Sequence, residues 1–500
     1  MKRLLDAIIE ACETFPSTPT HIIASLLFIS IGRWCLENVL VQPLPQFLFV
    51  MRLVTLLTLY AGSYFAYTWF ASLFFKHKDF ERIRSVILAS MFGGLIPPLL
   101  FFFFPHSSTG SYDYFNDFTW NFISPMQPLE ESVGIWLTVA TVALYFLYKK
   151  RTVLSFVAGA AAAYVLAQFS GWFVIIPWQY LNHAISVARP DLNYPMPFSM
   201  DLVWVFIGIS AFTLLRRRAL QATLKRFHYS LIRGVIIGIG ALLAGSINTL
   251  TVVEAVIFVV AGMLIQAEND YYDKEADSAS ARESTLTAED LILVRFFMVL
   301  LVLPFIFIQP VFSILLGGFF LLGFVYNHPA FRFKKHFATA SLIQGLATFL
   351  SLLLGIFSVG DFEVHTPQIL LAIVISVIFG IISNIKDYKD VEDDRKAGIQ
   401  TMYVVLSEHG ISAKKTQAIM AVVLGILYGA VVIFSFFFFR PGPATLFFGS
   451  ALVLTSPLPL SLLNHPRRSA SSIAMGIEAT LFLVYVVVAI FPLVVSMRGF

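Results

Sequence analysis

Fifteen apolar runs, the first near residues 20–40 and the last near 472–495, constrain this chain more than any other feature. A bilayer core needs about 17–25 apolar residues per helix, and tilt or bilayer thinning accommodates departures from that length. In lipid each backbone N–H and C=O must be satisfied within the protein, so such runs specify helices. Composition agrees: 58% of the 500 residues are hydrophobic and 13% are charged, against about 25% charged in ordinary soluble domains. The sequence therefore predicts an all-α polytopic membrane protein. A net charge of +4 gives no reason to expect a nucleic-acid partner. Two cysteines, Cys12 and Cys35, make neither a disulfide framework nor a metal cluster. Ahead of the first run, Leu4, Leu5, Ile8, Ile9 and Cys12 recur on one helical face. With Asp6, Glu10 and Glu13 interrupting it, that segment reads as an interfacial helix rather than a cleavable signal.

Charge sets the orientation. With the N-terminus cytoplasmic, 29 of the 34 Lys and Arg residues fall on the inner side, as the positive-inside rule requires. The basic stretch Arg216–Arg226 separates six spans, with long outer loops near 106–132 and 179–199, from nine more. The expected domains are 1–215, a membrane module without a catalytic signature, and 216–500.

Chemistry concentrates in two acidic clusters, each at the cytoplasmic end of a span. One contains Asn269, Asp270, Asp273, Glu275 and Asp277; the other contains Asp387, Asp390, Glu392 and Asp394. Matching acids are offset by a constant 117 residues, as in an internal repeat. Asn269, Asp273 and Asp277, four apart, and Asp387, Asp390 and Asp394, at i, i+3 and i+7, are each predicted to form one helical stripe, which like-charge repulsion disfavours unless cations neutralise it. Hard oxygen donors without His or Cys suit Mg²⁺, which characteristically bridges carboxylates to phosphates. The bland alternative, acidic loops solvating the membrane surface, leaves the shared register an accident. Elsewhere, Arg33 and Glu37 are spaced to pair within the first span. Glu254 is expected to snorkel, Glu478 to meet Arg467 or Arg468, and Asn248, Gln344 and Asn384 to bond between helices.

The motifs Asn269-Asp270-x-x-Asp273-x-x-x-Asp277 and Asp387-x-x-Asp390-x-x-x-Asp394 resemble the paired Asp-rich motifs of UbiA-type intramembrane prenyltransferases. The runs Asp394–Thr401 and Tyr326–Lys335 resemble that family's downstream stretches. The likeness covers about 220–495, and the nine helices there match the family's nine. The family's Asn-x-Pro-x-Arg-Pro continuation is replaced by Ser280–Thr285. The resemblance implies a nine-helix bundle preceded by about six extra transmembrane helices. It also implies two Mg²⁺ ions held by Asn269, Asp270, Asp273, Asp277, Asp387, Asp390 and Asp394. Arg332, Lys334, Lys335 and Arg395 would clamp the diphosphate, with Asp273, Asp390 and Tyr326 as catalytic residues. The implied partners are a polyprenyl diphosphate donor, a lipophilic or aromatic acceptor, and membrane lipids. Two alternatives stand beside it: phosphoribosyl-type transfer to a polyprenyl phosphate on the same frame, and a transporter.

Overall fold

The computed structural model describes residues 2–41, 46–73, 77–96, 98–99, 140–141, 143–149, 153, 157, 159–161, 195–273, 285–359, 366–396, 398–439, 443–455, 460 and 469–497. The loop expected near 106–132, most of that near 179–199, Asp277, Arg467, Arg468 and the side chain of Asp390 lie outside the described residues. Every described regular element is helical, and the one β-type pairing is an isolated bridge between His336 and Gln400. Six described helices are long and apolar enough to cross a membrane, among them Thr249–Tyr272, Pro310–Asn327 and Phe337–Ser358. Shorter apolar helices include Asp201–Leu215 and Phe227–Leu243. The protein is an integral, multi-pass, all-α membrane protein.

The chain divides into two compact units. The first comprises Met1–Leu220 and Leu286–Pro310. Thr18 caps the helix Pro19–Leu36 by accepting from the His21 N–H, and Pro19 occupies the first turn, where a missing N–H is harmless. The helix Gln46–Ser72 lies along Pro195–Leu215 so closely that a Cβ at Gly62 would strike the Trp204 backbone. Ala288–Val302, one of the nine C-terminal spans expected from sequence, packs in this unit against Pro19–Leu36 and Pro195–Leu215. Its Phe297 ring sits 4.9 Å from Phe65 and 5.4 Å from Phe212. The expected Arg33–Glu37 pair is present, with a third member that the spacing did not reveal. Glu37 accepts from Arg33 Nε at 2.7 Å and from Arg52 Nε at 2.9 Å, and Arg33 also donates to the Tyr60 hydroxyl at 2.9 Å. All three charged residues are less than 10% exposed: 5%, 6% and 8% for Arg33, Glu37 and Arg52.

The second unit comprises Gln221–Thr285 and Val311–Phe500. Asn248 and Thr251 form a reciprocal capping box that starts Thr249–Tyr272, and the Asn248 amide also donates to the Ser358 carbonyl, joining that helix to Phe337–Ser358. Phe227–Leu243 and Phe337–Ser358 approach through Gly240 and Gly355, where a Cβ on either would collide with the other's backbone. Ile236, Leu352, Ile375, Leu424 and Phe482 belong to one apolar core. Two acids depart from expectation. Glu254 is fully buried rather than snorkelling, and Glu478 accepts from the Tyr428 hydroxyl at 2.9 Å inside the bundle.

The second acidic cluster does not continue its span as α-helix. After Thr366–Ile382 the backbone tightens into a 3₁₀ segment, Ser383–Asp390, followed by the short α-helix Val391–Lys396. A 3₁₀ run of eight residues is long for a conformation that rarely exceeds three or four.

Candidate functional site

Both acidic clusters reach one cavity of about 390 Å³ in the second unit. Asn269, Asp273, Tyr326, Lys334, Asp387 and Asp394 all contribute to its wall. The first cluster ends Thr249–Tyr272, with Asp273 as the C-cap residue. A helix C-terminus carries partial negative charge, so acids there need cations nearby. The fold supplies them. Lys334 Nζ donates to Asn269 Oδ1 at 3.1 Å and forms an ion pair with Asp273, and an Arg332 terminal nitrogen lies 4.0 Å from the same carboxylate.

Asp270 lies off the expected stripe, whose described members stay together. Asn269 and Asp273, one turn apart, face the cavity. Asp270 is 2% exposed and turns toward Gln221–Lys225, accepting from Thr223 Oγ1 at 2.7 Å and Gln266 Nε2 at 3.0 Å and pairing with Arg226. On the second cluster, Asp387 and Asp394 border the cavity. Tyr388 packs edge-on against Tyr403 at 5.2 Å, and burial, followed by the negative charge of Asp387, raises the Tyr403 hydroxyl above the usual phenol range.

Two loops close the polar end. The Gln400 N–H donates to the Lys335 carbonyl at 2.6 Å, the Phe337 N–H donates to the Gln400 carbonyl at 3.0 Å, and the His336 ring contacts Gln400 Oε1 at 2.9 Å. This clasp fastens the Lys334 loop to the chain just past the second motif. Arg332 takes a left-handed backbone conformation, φ 40°, at the start of the turn Phe333–Lys335. Such a conformation is strained for a non-glycine residue.

Of the residues expected to clamp a phosphate, Lys334 is in the cavity wall and Arg332 beside Asp273. Lys335 contributes its backbone to the clasp. Arg395 is exposed and bonds Glu392 at 2.9 Å and the Ser407 hydroxyl at 2.8 Å. Asn384 behaves as expected of an interhelical amide, donating to Ser341 Oγ at 2.7 Å. Sequence reasoning missed Arg226 and Arg233, which it counted only toward the cytoplasmic basic excess; both lie in the cavity wall. For Arg233 a signal existed, since an ionisable residue within an apolar run is a functional candidate.

The donor set fits Mg²⁺ bound together with a phosphate ligand. Among the described residues no three His, Cys, Asp or Glu side chains converge into a ready-made metal cage. The cavity instead offers oxygen donors in two groups, Asn269 with Asp273 and Asp387 with Asp394. Mg²⁺ usually takes one or two carboxylates and completes its shell with water and substrate phosphates.

Residues 231–486 match the UbiA prenyltransferase family. The chain belongs to that family. Three solved structures are similar to it at low identity. A digeranylgeranylglyceryl phosphate synthase is 17% identical, with a TM-score of 0.40, over 55% of this chain and 99% of its own. A UbiA homologue from Archaeoglobus fulgidus, bound to DMAPP and Mg²⁺, is 18% identical with a TM-score of 0.39, over 54% and 99%. A homologue from Aeropyrum pernix K1 is 15% identical with a TM-score of 0.39, over 54% and 98%. No curated protein matches the chain. The UbiA match includes both acidic clusters and the Lys334 loop, and it also includes Ala288–Val302, the helix that packs in the first unit.

Proposed function

We propose that this UbiA-family protein transfers a prenyl group from a polyprenyl diphosphate to an acceptor at the cytoplasmic membrane face, with residues 216–500 as the transferase domain and 1–215 as an N-terminal membrane module of unknown function. The observation that carries this reading is the convergence of Asn269, Asp273, Asp387, Asp394 and Lys334 on a cavity whose wall also includes Phe319, Leu322 and Phe379. A charged head group and an apolar tail each find a matching surface there.

Asn269 and Asp273 would hold one Mg²⁺, and Asp387, Asp390 and Asp394 the second. When bound, the ions neutralise charge on the leaving diphosphate. Lys334, paired with Asp273 in the structure, would turn to the diphosphate oxygens, with Arg332 beside it. The allylic C–O bond breaks with its electron pair leaving on the diphosphate. The acceptor nucleophile then bonds to that carbon and loses its proton. Apolar walls keep water from the cation, and the Tyr326 ring offers it a π face. Asp270 orients Arg226 rather than binding metal in this scheme.

Membranes containing the protein test the reading directly. Radiolabelled geranylgeranyl diphosphate supplied with a host lipid extract should pass label into an extractable product; EDTA should stop the transfer and added Mg²⁺ restore it. Absence of Mg²⁺-dependent label transfer across short and long prenyl diphosphates would overturn the proposal. Orientation has its own check. Reporters after Arg218 or after Lys335 should read cytoplasm, and one within 106–132 should read outside, because 29 of 34 basic residues partition that way. Finding 269–273 and 386–396 on opposite sides would rule out a shared site.

A further inference from the structure

One buried donor beside the second acidic cluster has no work in the transfer scheme. Tyr403 is 3% exposed, and its hydroxyl is buried without a hydrogen-bond partner among the described residues. Leaving such a group unpaired costs folding free energy, because water solvates it in the unfolded chain. Native structures keep few of them, and each calls for an explanation.

The fold holds this ring next to Asp387. Thr401, in the cavity wall, starts the helix Met402–Glu408 by accepting from the Val404 N–H at 3.5 Å. That helix packs on both Ser383–Asp390 and Val391–Lys396, the segments that carry the second cluster. The Tyr403 ring meets Tyr388 edge-on at 5.2 Å, and Tyr388 directly follows Asp387. The Asp387 charge is close enough to bear on the Tyr403 hydroxyl. On the first cluster the supporting donors are already engaged, with Lys334 on Asp273 and Arg226 on Asp270. On the second, Tyr403 is a donor held in reserve.

A carboxylate that binds a metal through one oxygen presents the other to a hydrogen-bond donor, which fixes its angle and tunes its affinity. A phenol donating to a carboxylate makes a charge-assisted O–H···O bond, the stronger kind. Burial suits such a hydroxyl, because it acts through the carboxylate and has no need to meet the substrate.

We propose that Tyr403 is a positioning residue for Mg²⁺, its hydroxyl donating to the Asp387 carboxylate once that carboxylate turns to bind the ion. This rests on the assignment of the cavity to Mg²⁺-dependent prenyl transfer.

The test uses Y403F, which keeps the ring and removes only the hydroxyl, in full-length protein held in nanodiscs. Melting temperature and label transfer are both followed across a Mg²⁺ titration with excess geranylgeranyl diphosphate. Without metal, Y403F should melt at or slightly above wild type, because an unpaired buried polar atom has gone. It should need about tenfold more Mg²⁺ for half of its thermal shift and for half-maximal transfer, the lower end of the loss when an outer partner of a metal ligand is removed. At saturating Mg²⁺ the geranylgeranyl diphosphate concentration giving half-maximal rate should match wild type. A Y403F variant with the wild-type Mg²⁺ requirement would overturn the proposal. So would one that melts lower without metal, which would assign the hydroxyl to folding. A wild type that shows the Tyr403-dependent Mg²⁺ shift but transfers no label would support the positioning role and overturn the transfer reading. A wild type with no Mg²⁺-dependent shift would overturn both.

Discussion

Asp273→Ala should lower turnover by about 10²–10³-fold, the usual effect of removing one preorganised electrostatic partner of a transition state. Two roles converge on this carboxylate. It lies one helical turn beyond Asn269 on the cavity wall, where the proposed Mg²⁺ would sit, and it holds the Lys334 ammonium at the same end. Asp273→Asn should fare little better, because the amide preserves shape but surrenders the charge. Folding should be nearly unaffected. The residue caps a helix C-terminus, where removing an acid relieves its repulsion with the helix dipole and compensates for the lost Lys334 pair. Label transfer from geranylgeranyl diphosphate gives the rate, and a thermal melt in detergent checks the fold. Wild-type turnover in Asp273→Ala would show that the first acidic cluster takes no part in the chemistry.

Glu37→Gln should produce the largest loss of stability, about 3–5 kcal/mol, the scale for breaking a buried ion pair from one side. Glu37 is the carboxylate shared by Arg33 and Arg52, all three buried in the first unit, and a neutral amide leaves both guanidinium groups without it. The loss is measured as a lower melting temperature, or as a smaller fraction of monodisperse protein after detergent extraction. Stability within about 0.5 kcal/mol of wild type, the range of an ordinary surface substitution, would show that the triad is not a staple of this unit.

How much of this was legible in the sequence follows from which interactions are local. Apolar runs report helices through the cost of an unpaired backbone in lipid, so the all-α membrane class could be read directly. The two acidic motifs stood out through register, and Asn269 and Asp273 share a face because one turn of α-helix puts them there. The surroundings of Asp270 were not legible: its partners, Thr223 and Arg226, lie 47 and 44 residues away, and helical spacing cannot see them. Arg33 and Glu37 were visible as a pair at one-turn spacing, whereas Arg52 joins from the next helix. Arg233 was lost in a charge tally although its place inside an apolar run marked it. The packing of Ala288–Val302 with the first unit depends on Phe65 and Phe212, and no periodicity within that helix encodes them.

The 3₁₀ segment Ser383–Asp390 changes what the duplicated motif means. Three residues of α-helix turn the chain through about 300°, and three residues of 3₁₀-helix through a full circle. Positions 270 and 273 therefore diverge in azimuth, while positions 387 and 390 share one. The two motifs share their letters and their offset, but the change of pitch breaks their equivalence. In the first copy one acid is sequestered by an arginine and its neighbour addresses the cavity. In the second copy the acid matching the sequestered one, Asp387, is itself at the cavity wall. A shared spelling does not confer shared work: the same acids at the same offsets meet different surroundings once the backbone beneath them is wound differently.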